Sequence, residues 1–273
     1  MKLGLFTAAF GDRPLAEVDS WAAAAGFEAL EVHYPPGSSP DADVGLQISA
    51  LAYYPNTLDP DEGARQAAQA HLRVVIDAAA RLGVGLVCTF AGADPARPLD
   101  ESLGLFREAW PPLVDYAEER GVRIAIENCP MVSDRSRWPA GTNLAYCPAA
   151  WDAMFEAIPS PALGLNLDPS HLVWLGVDYE RAAREYGHRV FHVHAKDTEI
   201  VRDELYRRSI MSLGAGWQHG RIPGRGEIDW GRFLGALRDA GYDGVVSVEH
   251  EDHGMGIEPG FELARDTLRP LLG

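Results

Sequence analysis

Four times along this chain an amphipathic run ends at a glycine and an apolar strand begins within a few residues: "AAAAGFEALEV", "ARLGVGLVC", "EERGVRIAIE" and "RDAGYDGVVSVE". A glycine directly after a periodic run is a helix C-terminal signal, because it takes the left-handed conformation that closes the last turn. Repetition of that unit predicts helices alternating with strands of a largely parallel sheet. Candidate strands cover residues 3–8, 29–33, 46–53, 85–90, 122–127, 163–168, 190–194 and 245–249.

Eight strands separated by helical material in 273 residues suit an α/β chain folded as a single (β/α)8 TIM barrel, which typically takes about 250 residues. A doubly wound open sheet usually has fewer strands, and no GxGxxG follows the first strand here. No Ser/Gly linker or composition shift marks a second domain, so residues 1–273 are expected to form one barrel domain. Two longer stretches, 128–147 and 198–226, are expected to lie as loops over its C-terminal face.

Composition narrows the partners. A hydrophobic content of 47% with 23% charged residues is that of a soluble protein with a sizeable core. No apolar run approaches the roughly 18 residues of a membrane span. The opening "MKLGLFTAAFGDRP" reads as a first strand rather than a signal peptide, so a cytoplasmic location and no membrane partner are expected. Cys88, Cys129 and Cys147 have neither zinc-knuckle nor CxxC spacing, and Cys88, in an apolar strand, reads as a buried thiol. The formal charge of −16 argues against nucleic-acid binding, which needs a basic footprint.

In such a barrel, functional groups sit at the C-terminal ends of the strands or just beyond them. Strand two ends "ALEVH", with Glu31 and His33, and strand five ends "IAIEN", with Glu127. Strand six ends at Asp168, strand seven with His192 and His194 in "VFHVHAKD", and strand eight with Glu249. A carboxylate in an apolar barrel strand is costly unless it is paired or metal-bound. Glu127, Asp168, His194 and Glu249 supply three carboxylates and one imidazole from four consecutive strands, and the carboxylates could not all stay ionised without a cation. One divalent metal ion resolves this. The oxygen-rich set with one nitrogen suits Mn²⁺ first and Mg²⁺ or Co²⁺ next, with Zn²⁺ left open.

The neighbouring residues have two readings each. Asp168 precedes Pro169 and so is also a helix N-cap. His171 is either a substrate contact or a part-buried histidine at a helix start. His192 shares a strand face with His194 and reads as a residue hydrogen-bonded below the site. Glu31 and His33 either contact substrate or pair with each other, and Lys196 and Asp197 are either a solvated pair or a brace for His194.

Taken in order, "IAIEN", "LDPSH", "VHAKD" and "IPGRGEIDW…GYDGVVSVE" resemble the xylose isomerase-like TIM-barrel superfamily over essentially the whole chain. Within it the resemblance is to sugar (phosphate) isomerases and epimerases such as the ketohexose 3-epimerases and inosose dehydratases. It implies that Glu127, Asp168, His194 and Glu249 bind one divalent metal, often Mn²⁺. It further implies that Glu127 and Glu249 exchange protons with the substrate carbon, that His171 contacts the sugar, and that Arg221 lies near substrate oxygens. The segment "TEIVRDELYRRSIMSLGAGWQ" before Arg221 departs from those epimerases.

The expected activity is that of a metal-dependent sugar isomerase or epimerase. A proton leaves the carbon beside a carbonyl, and the resulting enediolate is stabilised by the metal. The acidic loop "HEDHGMGIEPG" after strand eight is poor ground for phosphate, so a non-phosphorylated sugar or keto-sugar is favoured. A lyase or dehydratase acting by β-elimination on a 3-keto-sugar or glycoside is the alternative chemistry, and a sugar-binding barrel without catalysis the alternative class. Trp138 and Trp217 would stack on a sugar face or pack against another subunit of a homodimer or homotetramer. The three-zinc apurinic-site endonucleases of the same superfamily are excluded, because "ALAYYP" and "VCTFAG" offer no additional histidines at strands three and four.

Overall fold

Gly26, Gly83, Gly121 and Gly241, the glycines of the repeated helix-to-strand signature, all have positive φ, between 67° and 90°. They do so in a computed structural model that describes residues 1–38, 44–132, 141–212 and 216–273. A Cβ at Gly83, Gly121 or Gly241 would meet nothing within 4 Å, so glycine is required there by its backbone, not by crowding.

The strands are β1 (Lys2–Phe6), β2 (Ala29–His33), β3 (Gln47–Ala52), β4 (Leu86–Thr89), β5 (Arg123–Glu127), β6 (Leu163–Leu167), β7 (Val190–Ala195) and β10 (Val245–Val248). They close into a parallel barrel in the order β1-β10-β7-β6-β5-β4-β3-β2. Internal contacts group the chain into two compact units: Met1–His33 with Ser39–Ser49 and Leu167–Gly273, and Tyr34–Ser38 with Ala50–Asn166.

In the first unit β2, β1, β10 and β7 are neighbours, with Gly4 opposite Ala29 and Ser247, and Ser247 opposite His194. Phe10, Trp21, Phe27 and Phe261 form an aromatic cluster joining α1 (Leu15–Ala25) to α10 (Ile257–Leu268). Within it, Phe10 and Phe261 stack at 5.2 Å. Such pairs contribute about 0.5–1.5 kcal/mol each beyond their burial.

In the second unit the register runs from β3 through β4 and β5 to β6, with Glu127 opposite Asn166. Helix α2 (Glu62–Leu82) begins at Asp61, whose side chain accepts from the Ala64 N–H, and buries Leu72, Val75, Ile76 and Ala79 at helical spacing. The amphipathic run that ends at Gly121 is two helices, α3 (Leu99–Ala109) and α4 (Pro111–Glu118). Pro111 lacks the N–H needed to continue α3, and the buried Trp110 between them anchors its indole N–H on the Ala91 carbonyl at 2.8 Å.

The stretch 198–226, expected as loop, begins inside a hairpin. Strands β8 (Asp197–Ile200) and β9 (Gln218–Arg221) pair antiparallel, with α8 (Arg202–Arg208) between them. Its organiser is Asp197, which is fully buried. The carboxylate accepts from the N–H groups of Thr198, Gly224 and Ile228 and from the Trp230 indole. Burial pushes its pKa up, and these four donors oppose the shift. A Cβ on Gly226 would lie 2.1 Å from Asp197 Oδ1, which explains the second glycine of "GRGE". Asp197 therefore ties "HAKD" to "IPGRGEIDW", two motifs that are separate in sequence.

Candidate metal centre

Strand β6 ends at Leu167, and α6 (Pro169–Leu175) starts two residues later, so Asp168 sits at the junction with both oxygens committed differently. Oδ1 accepts from the Ser170 N–H at 2.8 Å and caps the helix. Oδ2 faces Lys196 Nζ at 3.2 Å and His171 Nε2 at 3.3 Å. The cap and ligand readings of this residue are thus compatible, one on each oxygen.

Strand β7 brings in the next groups by simple alternation. His192 and His194 alternate onto one face of β7, Lys196 follows the strand, and all three are buried. Lys196 Nζ lies 2.6 Å from Glu249 Oε2 and 3.2 Å from Glu251 Oε2, and His194 Nδ1 lies 3.4 Å from Glu249 Oε2. Glu249 follows the last residue of β10 and keeps its side chain slightly exposed, at 13%. Glu127 is the last residue of β5, and its backbone carbonyl accepts from Asn143 Nδ2 at 2.8 Å. Asn143 also accepts from the Ala91 N–H, so it braces the chain on either side.

Glu127, Asp168, His194 and Glu249 each offer one ligand atom, and these four atoms all lie within 4.8 Å of one another. The chemistry of the set fits a divalent cation. Ionised, its three carboxylates exceed the charge of the single Lys196 ammonium by two. Carboxylate oxygens with one imidazole are donors for a hard or borderline metal rather than for a thiolate-seeking one.

Glu31, fully buried on β2, meets two histidines of β7 rather than His33. Its Oε2 is 3.0 Å from His192 Nε2 and 2.8 Å from His194 Nε2. Burial alone would raise its pKa, but His194 and His192 outweigh that and hold the carboxyl well below the usual range. His33 is exposed and edge-on to Phe6 at 6.0 Å. Partial burial lowers its pKa, and the Glu31 charge opposes the shift. His171 is buried, and its Nδ1 accepts from the Trp174 indole at 3.4 Å.

Arg221, on β9, forms ion pairs with Glu199 and with Asp252. Arg225 joins the same Asp252 at 2.6 Å. This network clips the hairpin to the loop after β10, and burial of Asp252 is outweighed by the N–H groups of Gly254 and Ile222 and by both arginines, which lower its pKa. Trp217 is buried, and Trp138 lies outside the described residues. Lys196, expected in a solvated pair or as a brace for His194, is buried against Asp168, Glu249 and Glu251, and Glu251 was not expected at the site. The period-two spacing after His194 was the available signal for Lys196.

The profile of the xylose isomerase-like TIM barrel family matches residues 20–271. The chain belongs to that family. Among curated relatives, the uncharacterized protein YfiH of Bacillus subtilis is 28% identical over 98% of this chain and 98% of its own. An inosose dehydratase of Clostridium perfringens is 32% identical over 37% of this chain, a match that spans 34% of that enzyme. Two solved structures share the fold. An IolI protein with a bound zinc atom has a TM-score of 0.76 at 21% identity, with 100% of this chain and 98% of that one covered. A D-psicose 3-epimerase determined in the presence of D-fructose has a TM-score of 0.71 at 18% identity, with both chains fully covered. The chain is thus similar to an inosose dehydratase over part of its sequence and to a D-psicose 3-epimerase in fold. Among the described residues no helix is long and apolar enough to cross a membrane.

Proposed function

We propose that this protein is a divalent-metal-dependent enzyme that removes a proton beside the carbonyl of a non-phosphorylated sugar or keto-sugar, acting as an isomerase or epimerase. The observation that carries the reading is the convergence of Glu127, Asp168, His194 and Glu249. These residues would hold the cation, with Mn²⁺ the first choice for an oxygen-rich set. When bound, it supplies the positive charge that stabilises the negative charge developing as a carbon acid ionises.

The residues themselves divide the remaining work. Glu127 and Glu249, from β5 and the loop after β10, are the carboxylates assigned to take and return the proton, a step to which a well-placed base contributes about 10²–10⁴-fold. Lys196, in contact with Glu249 Oε2, restrains the orientation of that carboxylate. His171, beside Asp168 and backed by Trp174, is assigned to a sugar hydroxyl, and Arg221 to substrate oxygens farther out. The residues are read as parts of one barrel domain in a cytoplasmic homo-oligomer, and the thiols Cys88, Cys129 and Cys147 suit a reducing compartment.

β-Elimination is the second reading, favoured by the likeness to an inosose dehydratase. Both chemistries begin with the same proton loss. Incubating Mn²⁺-loaded protein in D₂O with ketoses, aldoses and 3-keto-glucosides distinguishes them. Deuterium entering recovered sugar supports epimerisation or isomerisation, and loss of water or of a glycosidic group supports elimination. No exchange and no product across the panel would sink the reading, as would a purified protein that neither carries nor is stabilised by a divalent ion.

A further inference from the structure

A neutral imidazole has one N–H and one lone pair, and which nitrogen carries the proton is set by what each of them faces. His194 faces different partners on its two sides. Its Nε2 lies 2.8 Å from Glu31 Oε2, while its Nδ1 is the atom turned to Glu249. We infer that Glu31 is a positioning residue, which locks His194 as the Nε2–H tautomer and so presents the Nδ1 lone pair to the ligand set of Glu127, Asp168 and Glu249.

The alternative tautomer would put an imidazole lone pair against a carboxylate oxygen at 2.8 Å, with no proton between them. The same Oε2 also receives His192 Nε2 at 3.0 Å, so the two rings compete for one acceptor atom. A carboxylate has no proton to give, and even a protonated carboxyl could serve only one ring as donor. Both contacts are satisfied together when both rings donate to an ionised Glu31. Phe6 stacks on the His194 ring at 5.5 Å with 25° between planes, so rotating the ring to exchange its nitrogens is sterically opposed. Glu31, His192 and His194 are all buried, which leaves water little part in the choice.

A negative charge on the far side of a ligating imidazole also raises the basicity of the ligating nitrogen. Glu31 thereby acts on a metal through His194 and touches neither metal nor substrate. This inference rests on the metal-centre reading and extends it to a residue on β2, three strands from His194 by barrel order through β1 and β10.

The test uses ¹⁵N-histidine-labelled full-length protein, with long-range ¹H–¹⁵N spectra of wild type, Glu31→Gln and Glu31→Asp, and Mn²⁺ titration calorimetry of all three. Wild-type His194 is expected to show a protonated Nε2 and an unprotonated Nδ1. Glu31→Gln, folded by circular dichroism, is expected to bind Mn²⁺ at least about tenfold more weakly, with Glu31→Asp recovering part of the loss. A purely structural Glu31 would lower the melting temperature and leave tautomer and affinity unchanged. Should Glu31→Gln fail to fold, Glu31→Asp and the wild-type tautomer decide. A protonated Nδ1 in wild type, or equal Mn²⁺ affinity in the folded variants, would overturn the inference. A wild type that binds no Mn²⁺ would instead overturn the metal reading, while its tautomer still decides the role of Glu31.

Discussion

On its Nε2 side His194 belongs to a buried group: Glu31 receives two imidazole nitrogens, and all three residues are buried. On its Nδ1 side the same ring meets Glu249 within a set that holds three carboxylates against one lysine. In the first group two imidazole nitrogens meet one carboxylate oxygen. The second carries surplus negative charge that an added cation would balance. Burial is similar in both, so burial alone does not mark a functional site. The distinguishing feature is the surplus of carboxylates in the second group.

The largest effect is expected for Asp168→Asn. The variant keeps an oxygen to cap α6, so stability should change by less than about 1 kcal/mol. Its second carboxylate oxygen is gone, so Mn²⁺ affinity should fall on the order of 100-fold or more, beyond the loss typical of an outer partner. Calorimetry checks this, and unchanged affinity would erase the contrast between the two sides. Lys196→Met comes next. Removing the ammonium from Asp168, Glu249 and Glu251 should destabilise the protein without added metal by about 3–5 kcal/mol, as when a buried pair is broken. Added Mn²⁺ should then raise the melting temperature more than in wild type. An equal gain would show that lysine and metal do not share those carboxylates.

His192→Phe probes the Glu31 side. It leaves Glu31 with one imidazole instead of two and should cost about 1–3 kcal/mol in denaturant unfolding. Mn²⁺ affinity should change far less than in Asp168→Asn, and a comparable loss would mean the two groups are not separable. The smallest effect is expected at Asp252, whose carboxylate meets Arg221 and Arg225 on the hairpin clip. Its folded pKa is lowered, so its contribution is present above the unfolded value of about 3.9 and is lost as pH falls through the folded value. Asp252→Asn should remove about 1 kcal/mol at neutral pH and flatten the acid limb of the stability curve, as read by melting temperature against pH.

How much of this was legible depended on the range of the interaction. The barrel strands were readable because alternation and glycine stops are local, and most observed ends fall within two residues of those expected. Asp168 offered both a cap reading and a ligand reading in "LDPSH", since a cap needs only the next residues and a ligand needs only a strand end. The hairpin β8–β9 was not readable. Asp197 fastens it to N–H groups 27 and 31 residues away, at Gly224 and Ile228, and no local period reports such a contact. Trp110 interrupts an otherwise amphipathic run for a similar reason, its indole being held by a carbonyl on the far side of α3.

Alternating periods, capped helix starts and glycine stops determined a TIM barrel with acidic and imidazole groups at its strand ends, because each of those signals is set within a few residues. Which of these groups would meet was decided by closure of the barrel. Glu31 is 161 residues from His192 and 163 from His194, and only the strand order β2-β1-β10-β7 brings its carboxylate to their rings. A side chain's neighbours across a closed sheet depend on strand order and register, which no stretch of sequence contains by itself.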